Sequence, residues 1–148
     1  MNMTWKPGIS TDYSTNLRDS YERNYSATST NIRHNYELTH KITAGYSIRG
    51  TQGFKLPLIG TLKFENQLTL SLTVQNTTRR TESWVEGSTD EPTRSRDDFE
   101  WSITPSASYN FSRNIRGGLE MKWIDTHNRR LDQVNHVRDV SIWVELKF

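Results

Sequence analysis

From residue 32 the chain alternates between apolar and polar side chains with a period of two. Ile32, His34, Tyr36, Leu38, His40, Ile42, Ala44, Tyr46 and Ile48 take the even positions; Arg33, Asn35, Glu37, Thr39, Lys41, Thr43, Gly45, Ser47 and Arg49 take the odd ones. Successive side chains of a β-strand leave on opposite sides, so the pattern predicts one long two-faced strand. At about 3.3 Å per residue it reaches roughly 60 Å. A membrane-crossing strand needs only about 9–11 residues, and globular strands mostly have about 5–6. Length therefore favours a large barrel whose strands project beyond a bilayer.

The same alternation returns four times. Over 61–77, Leu62, Phe64, Leu68, Leu70, Leu72 and Val74 share one face, opposite Thr61, Lys63, Glu65, Gln67, Thr69, Ser71 and Thr73. Phe99, Trp101, Ile103, Ala107, Tyr109 and Phe111 form the next apolar face, with Pro105 on it. Proline lacks the ladder donor, so a bulge or break is expected there. After a short turn at Ser112-Arg113-Asn114, Ile115, Leu119, Met121 and Trp123 begin another face, and a closing strand takes 134–148. Gly117-Gly118, inside a strand, predicts a bulge or close approach. Residues 13–28 carry a weaker odd-position stripe broken by Asp19 and Arg23. Gly50, Gly53, Pro57 and Gly60 break the pattern over 50–60, and 78–97 and 126–133 read as polar loops.

In the closing strand Val140, Ile142, Val144, Leu146 and Phe148 are apolar to the last residue. A strand ending on an aromatic looks like the insertion signal of an outer-membrane barrel. The expected fold is all-β: an antiparallel transmembrane sheet of about six long strands. Single-chain barrels start at about eight, so the sheet is expected to be the C-terminal part of a larger barrel, or one unit of a ring. If the last strand descends to the periplasm, the turn at 112–114 is short and inside, and the loops at 78–97 and 126–133 lie outside, as barrels have them. The connection at 50–60 and the turn near 29–30 depart from that rule. Trp101 and Trp123 sit where an interfacial aromatic girdle is expected; Trp143 takes the opposite face.

Composition agrees. Hydrophobic residues make up 32% and mean hydropathy is −0.81, yet aromatics reach 11%, which alternating strands give and disordered tails do not. No apolar run is long enough for a membrane helix. Net charge is +2, with no basic block interleaved with aromatics, so nucleic acid is not expected as a partner. There is no cysteine for a disulfide framework or thiolate metal site. MNMTWKPGIST has no secretory signal pattern, so the chain is expected to be a piece of a longer precursor or a mature segment. His34, His40, His127 and His136 read as tolerated polar positions rather than metal ligands, although His40 is awkward in mid-strand on the face assigned to lipid. Asp90-Glu91 and Asp97-Asp98 read as solvated loop charge. No catalytic residue, cofactor or metal site is expected.

FKLPLIGTLKFENQLTLSLTVQNTTRR with Arg79-Arg80, the W-S-x-x-x-x-x-S-Y pattern from Trp101 to Tyr109, and the S-R-N turn resemble the carboxyl-terminal end of SprA/Sov. These proteins are the outer-membrane translocon of the type IX secretion system, and the resemblance covers about two-thirds of the chain. It implies a giant barrel in the outer membrane of a Gram-negative bacterium, passing folded cargo through a water-filled lumen. The implied partners are the upstream part of the same barrel, the barrel-assembly machinery, plug and gate proteins, secreted cargo and the lipid bilayer. Family members are very long, so a chain of this length would be a terminal fragment. The rival readings are the end of an LptD-like or TonB-dependent transporter barrel, a soluble β-rich binding or adhesin module, and a barrel enzyme, for which no Ser/His or Asp/His set is found.

Overall fold

The computed structural model describes residues 2–4, 9–48, 54–56, 60–62 and 66–147. Nine strands follow one another: β1 (Asn2–Thr4), β2 (Ile9–Tyr25), β3 (Thr30–Ile48), β4 (Phe54–Leu56), β5 (Gly60–Leu62), β6 (Leu68–Val85), β7 (Thr93–Asn110), β8 (Ile115–Asn128) and β9 (Gln133–Leu146). There is no helix among the described residues. β4 and β5 make a small separate hairpin; the rest form one antiparallel sheet in the order β1-β2-β3-β6-β7-β8-β9. Six of these seven strands are long, as the alternation predicts.

The sheet is a single open layer. Among the described residues β9 is unpaired along its outer edge, and β1 covers only Ser10 to Asp12 of β2. Among the described residues, Ile32 and Ile48 are the only large apolar side chains that are buried. Sheet stability in this state comes from the ladders and cross-strand pairs rather than from a core.

Both polar loops are narrower than expected. The loop over 78–97 shrinks to 86–92 because β6 and β7 stay paired there, and the loop over 126–133 shrinks to 129–132. Opposite charges face each other across the first of these ladders: Arg79 opposite Asp98, Arg80 opposite Asp97 and Glu82 opposite Arg94. Such pairs support strand where hydrophobicity alone suggests loop. Asp97 and Asp98 are accordingly buried, not solvated. β2 likewise runs through Asp19 and Arg23, which pair with His34 at 2.7 Å and Glu86 at 3.3 Å. β6 begins at Leu68, later than expected; Phe64, Gly50, Gly53 and Pro57 lie outside the described residues.

The bulge falls elsewhere than at Pro105. Pairing with β8 lapses between Ile103 and Ser106 without a change of register, a local break from the missing donor. The register shift lies between Thr81 and Glu82, leaving Ser95 as the extra residue of β7. In a regular strand residues three apart lie on opposite faces. The bulge instead brings Arg94 onto the face of Asp97, where they pair at 3.2 Å.

Gly117 and Gly118 mark close approaches of aromatic rings on the two faces. A Cβ at Gly118 would meet the Trp143 ring at 2.6 Å and the Ala107 carbonyl at 2.8 Å; one at Gly117 would meet the Phe111 ring at 2.8 Å. Backbone cannot yield as a ring can. Gly118→Ala is therefore expected to cost about 1–3 kcal/mol, and Gly117→Ala less, read as the difference between their unfolding free energies in detergent. Equal costs would contradict the packing described.

Candidate functional site

The strand registers turn the sequence stripes into one continuous surface. One row runs Tyr46, Leu70, Ala107, Leu119, Ile142, and the next runs Ile48, Leu68, Tyr109, Gly117, Val144. On the other side lie Ala44–Leu72–Pro105 and Met121–Val140, then Tyr13, Ile42, Val74, Ile103, Trp123, Arg138. At about 3.4 Å per residue this apolar band is roughly 20–27 Å high along the strands, close to the ~25 Å apolar band of transmembrane barrels. It is most exposed on β9, where Ile142 shows 81% of its surface and Val140 and Val144 each show 66%, while Leu68, Leu70, Val74 and Leu119 on the inner strands are half-buried and Ile48 is buried.

Aromatic side chains fringe the band at both limits. Tyr13, Trp101 and Trp123 lie along one, Tyr46, Tyr109 and Phe111 along the other. Trp101 and Trp123 stand on neighbouring strands of the same face, one row apart, each more than two-fifths exposed. Val140, Ile142, Val144 and Leu146 share that face on β9; Phe148 and Trp5 lie outside the described residues.

Beyond the band one row of the same face is mainly polar (Thr15, His40, Asn76, Trp101, Asp125, His136), and the row after it brings back Leu17, Leu38, Phe99 and Val134. His40 is therefore not awkward; it sits at the polar limit, hydrogen-bonded to the hydroxyls of Tyr13 at 3.0 Å and Thr15 at 3.1 Å. His34 stacks on Tyr21 with ring centroids 4.2 Å apart and meets Asp19 from the neighbouring strand, a partner invisible along its own strand. His127 pairs with Asp132 at 3.1 Å and His136 with Asp125 at 2.7 Å. Arg138 is the one charged residue of the band, and its guanidinium reaches out of it to Asp125 at 2.7 Å. His136 first, then Arg138, holds the Asp125 carboxyl below its ordinary value of 3.8. With a lowered pKa, what this carboxylate adds to stability is complete above the ordinary range and is lost as pH falls through the lowered value.

The opposite face is built from small polar side chains. Thr43 and Thr73 hydroxyls lie 3.2 Å apart, Thr39 and Thr77 hydroxyls 3.3 Å apart, and Gln67 Nε2 donates to Ser47 Oγ at 2.7 Å. Arg79 bridges Glu37 at 3.5 Å and Glu100 at 3.1 Å. Trp143, with the Ile124–Val137 pair, interrupts this polar surface.

Farther out on the apolar side, Asp97 gathers Arg94 at 3.2 Å and Arg129 at 4.0 Å, and Arg129 lies over the Phe99 ring at 4.9 Å. Sequence reasoning missed this cluster; the signal was there in the opposed charges of 79–82 and 94–98.

Comparison with known protein families, curated proteins and solved structures finds no match to this chain.

Proposed function

We propose that this sheet is a segment of an outer-membrane barrel wall, with the apolar band against lipid and the Ser/Thr-rich face toward a water-filled lumen. One observation carries the reading: a single-layer sheet exposes a fringed apolar band of bilayer height on one face only. Covering an aliphatic side chain stabilises by about 1.5–3 kcal/mol. For the band's exposed aliphatic side chains, which run from 37% to 81% exposed, the sum is comparable to the ~5–15 kcal/mol stability of an ordinary domain. So large a term needs a cover, and lipid suits the aromatic fringes.

Two open edges and about 29 Å of sheet width, from six strands at ~4.8 Å spacing, suit a wide wall completed by further strands. The likeness of the Trp101–Tyr109 and Arg79-Arg80 motifs to the type IX translocon makes protein export the favoured use, with the wall a passive conduit for secreted cargo and plug and gate proteins as its partners. On this reading the turn at 26–29 lies outside and is shorter than outer loops usually are. The β2–β3 and β6–β7 hairpins reach well past the band before they turn, so outward length is carried by strand instead of loop.

The chain expressed alone is expected to need detergent or vesicles to hold its β-structure, and to be protected by vesicles from protease along 103–123. A soluble, monomeric, folded chain without detergent would end the membrane reading.

A further inference from the structure

The turn joining β7 to β8 and the end of β9 enclose a cleft of about 320 Å3 on the polar face. Its charged lining is Arg113, Arg116, Lys147 and Glu145, with amides from Asn110 and Asn114 beside them. Glu145 is the direct cross-strand neighbour of Arg116, the position at which an ion pair is expected. No such pair forms. Glu145 instead meets Lys147 at 3.8 Å. The Arg116 guanidinium is held by Ser108 Oγ at 3.0 Å and by the Trp143 ring, 5.5 Å from its centroid. Arg113, exposed in the turn, has no carboxylate partner among the described residues either.

An arginine fixed by a hydroxyl and a ring, rather than by a counter-ion, has donors already ordered and still available. Arg113, exposed in the turn, lines the same cleft. Gly118 is what allows the Arg116 arrangement: without its bare Cα the Trp143 ring could not lie where it supports Arg116. We infer that the cleft receives the carboxylate side chains of an acidic polypeptide segment, with the arginines taking the carboxylates and the amides its backbone. The cleft opens on the face opposite the apolar band, so lipid headgroups do not reach it. This deepens the conduit reading by giving the lumen side a docking point at one rim.

The test uses the 148-residue chain in detergent micelles and a fluorescein-labelled hexaglutamate peptide, followed by anisotropy at low salt. Hexaglutamate is expected to bind at least tenfold more tightly than hexaglutamine. Arg113→Gln, in an exposed turn that leaves the fold alone, is expected to weaken binding at least threefold, and the double variant with Arg116→Gln at least tenfold. Lys122→Gln, elsewhere on the same face, is expected to change nothing. Trp143 emission should shift on binding, and the shift should vanish in Trp143→Phe. Unchanged binding by the double variant, or equal binding of hexaglutamine, overturns the proposal. Inorganic phosphate displacing the peptide at equal charge concentration also overturns it, since the cleft would then be a general anion site. Vesicle insertion is read separately, so failure of the membrane reading would not be confused with failure here.

Discussion

Leu72→Arg is expected to abolish most insertion into lipid vesicles, while Ser71→Arg, one residue away, inserts almost as well as the parent chain. Leu72 stands in the middle of the apolar band, between Ala44 of β3 and Pro105 of β7, and is 43% exposed. Arginine at the midplane of a barrel's lipid face costs about 2–4 kcal/mol, a factor of roughly 30 to 1,000 in the insertion equilibrium. Ser71 lies on the polar face opposite Gly45 and Ser106, where a charge meets water and costs little. The two variants share net charge and strand, and each introduces one arginine, so the effect of the added charge on expression cancels in the comparison. Flotation with the vesicles, or the heat-dependent gel shift of folded barrels, reads the fraction inserted. Equal insertion of both variants would remove the lipid face, and protein would then have to cover the band.

The two-faced strands were legible in the sequence because the apolar residues keep parity throughout β3, through Trp84 in β6 and through Trp123 in β8. Register was not legible, and register is what made the surface. Only with His40 opposite Thr15 and Asn76, and Trp101 opposite Asp125, does the polar limit of the band become a line across six strands. The ends of β6 and β7 were lost for a related reason. A strand held by opposed charges carries no hydrophobic period, so 78–85 and 93–97 look like loop until the two segments are laid side by side. Parity itself also fails at a bulge: counting by twos places Arg94 opposite to Asp97, whereas the extra Ser95 puts them together.

Asp97 is where the second large effect is expected. Asp97→Ala is expected to destabilise the inserted sheet by about 2–3 kcal/mol. Asp90→Ala, in the exposed loop where Ser88 is its partner among the described residues, stays within about 0.5 kcal/mol, as surface changes do. Asp97 is 5% exposed, and it faces Arg80 across the ladder while pairing with Arg94. Removing one member of a buried charge pair typically costs about 3–5 kcal/mol because the other is left uncompensated. Two features lower the figure here. The Arg94 side chain is 46% exposed and also holds Glu82 at 3.0 Å, so water and a second carboxylate take up part of the loss. Asp97 Oδ1 and Arg80 Nε, on facing residues, are buried without a hydrogen bond, so this cluster is not fully satisfied to begin with. What remains is the half-buried Arg80 side chain, its Nε shielded from solvent, which loses the carboxylate facing it in register. Urea unfolding of the vesicle-inserted protein, followed by tryptophan emission, gives the difference directly. Asp97→Asn separates charge from shape: it keeps the side chain's volume and one acceptor oxygen, removes the charge and turns the other oxygen into an NH2 donor. If electrostatics dominates, its cost stays close to that of Asp97→Ala; a cost below 0.5 kcal/mol would assign Asp97 to packing alone.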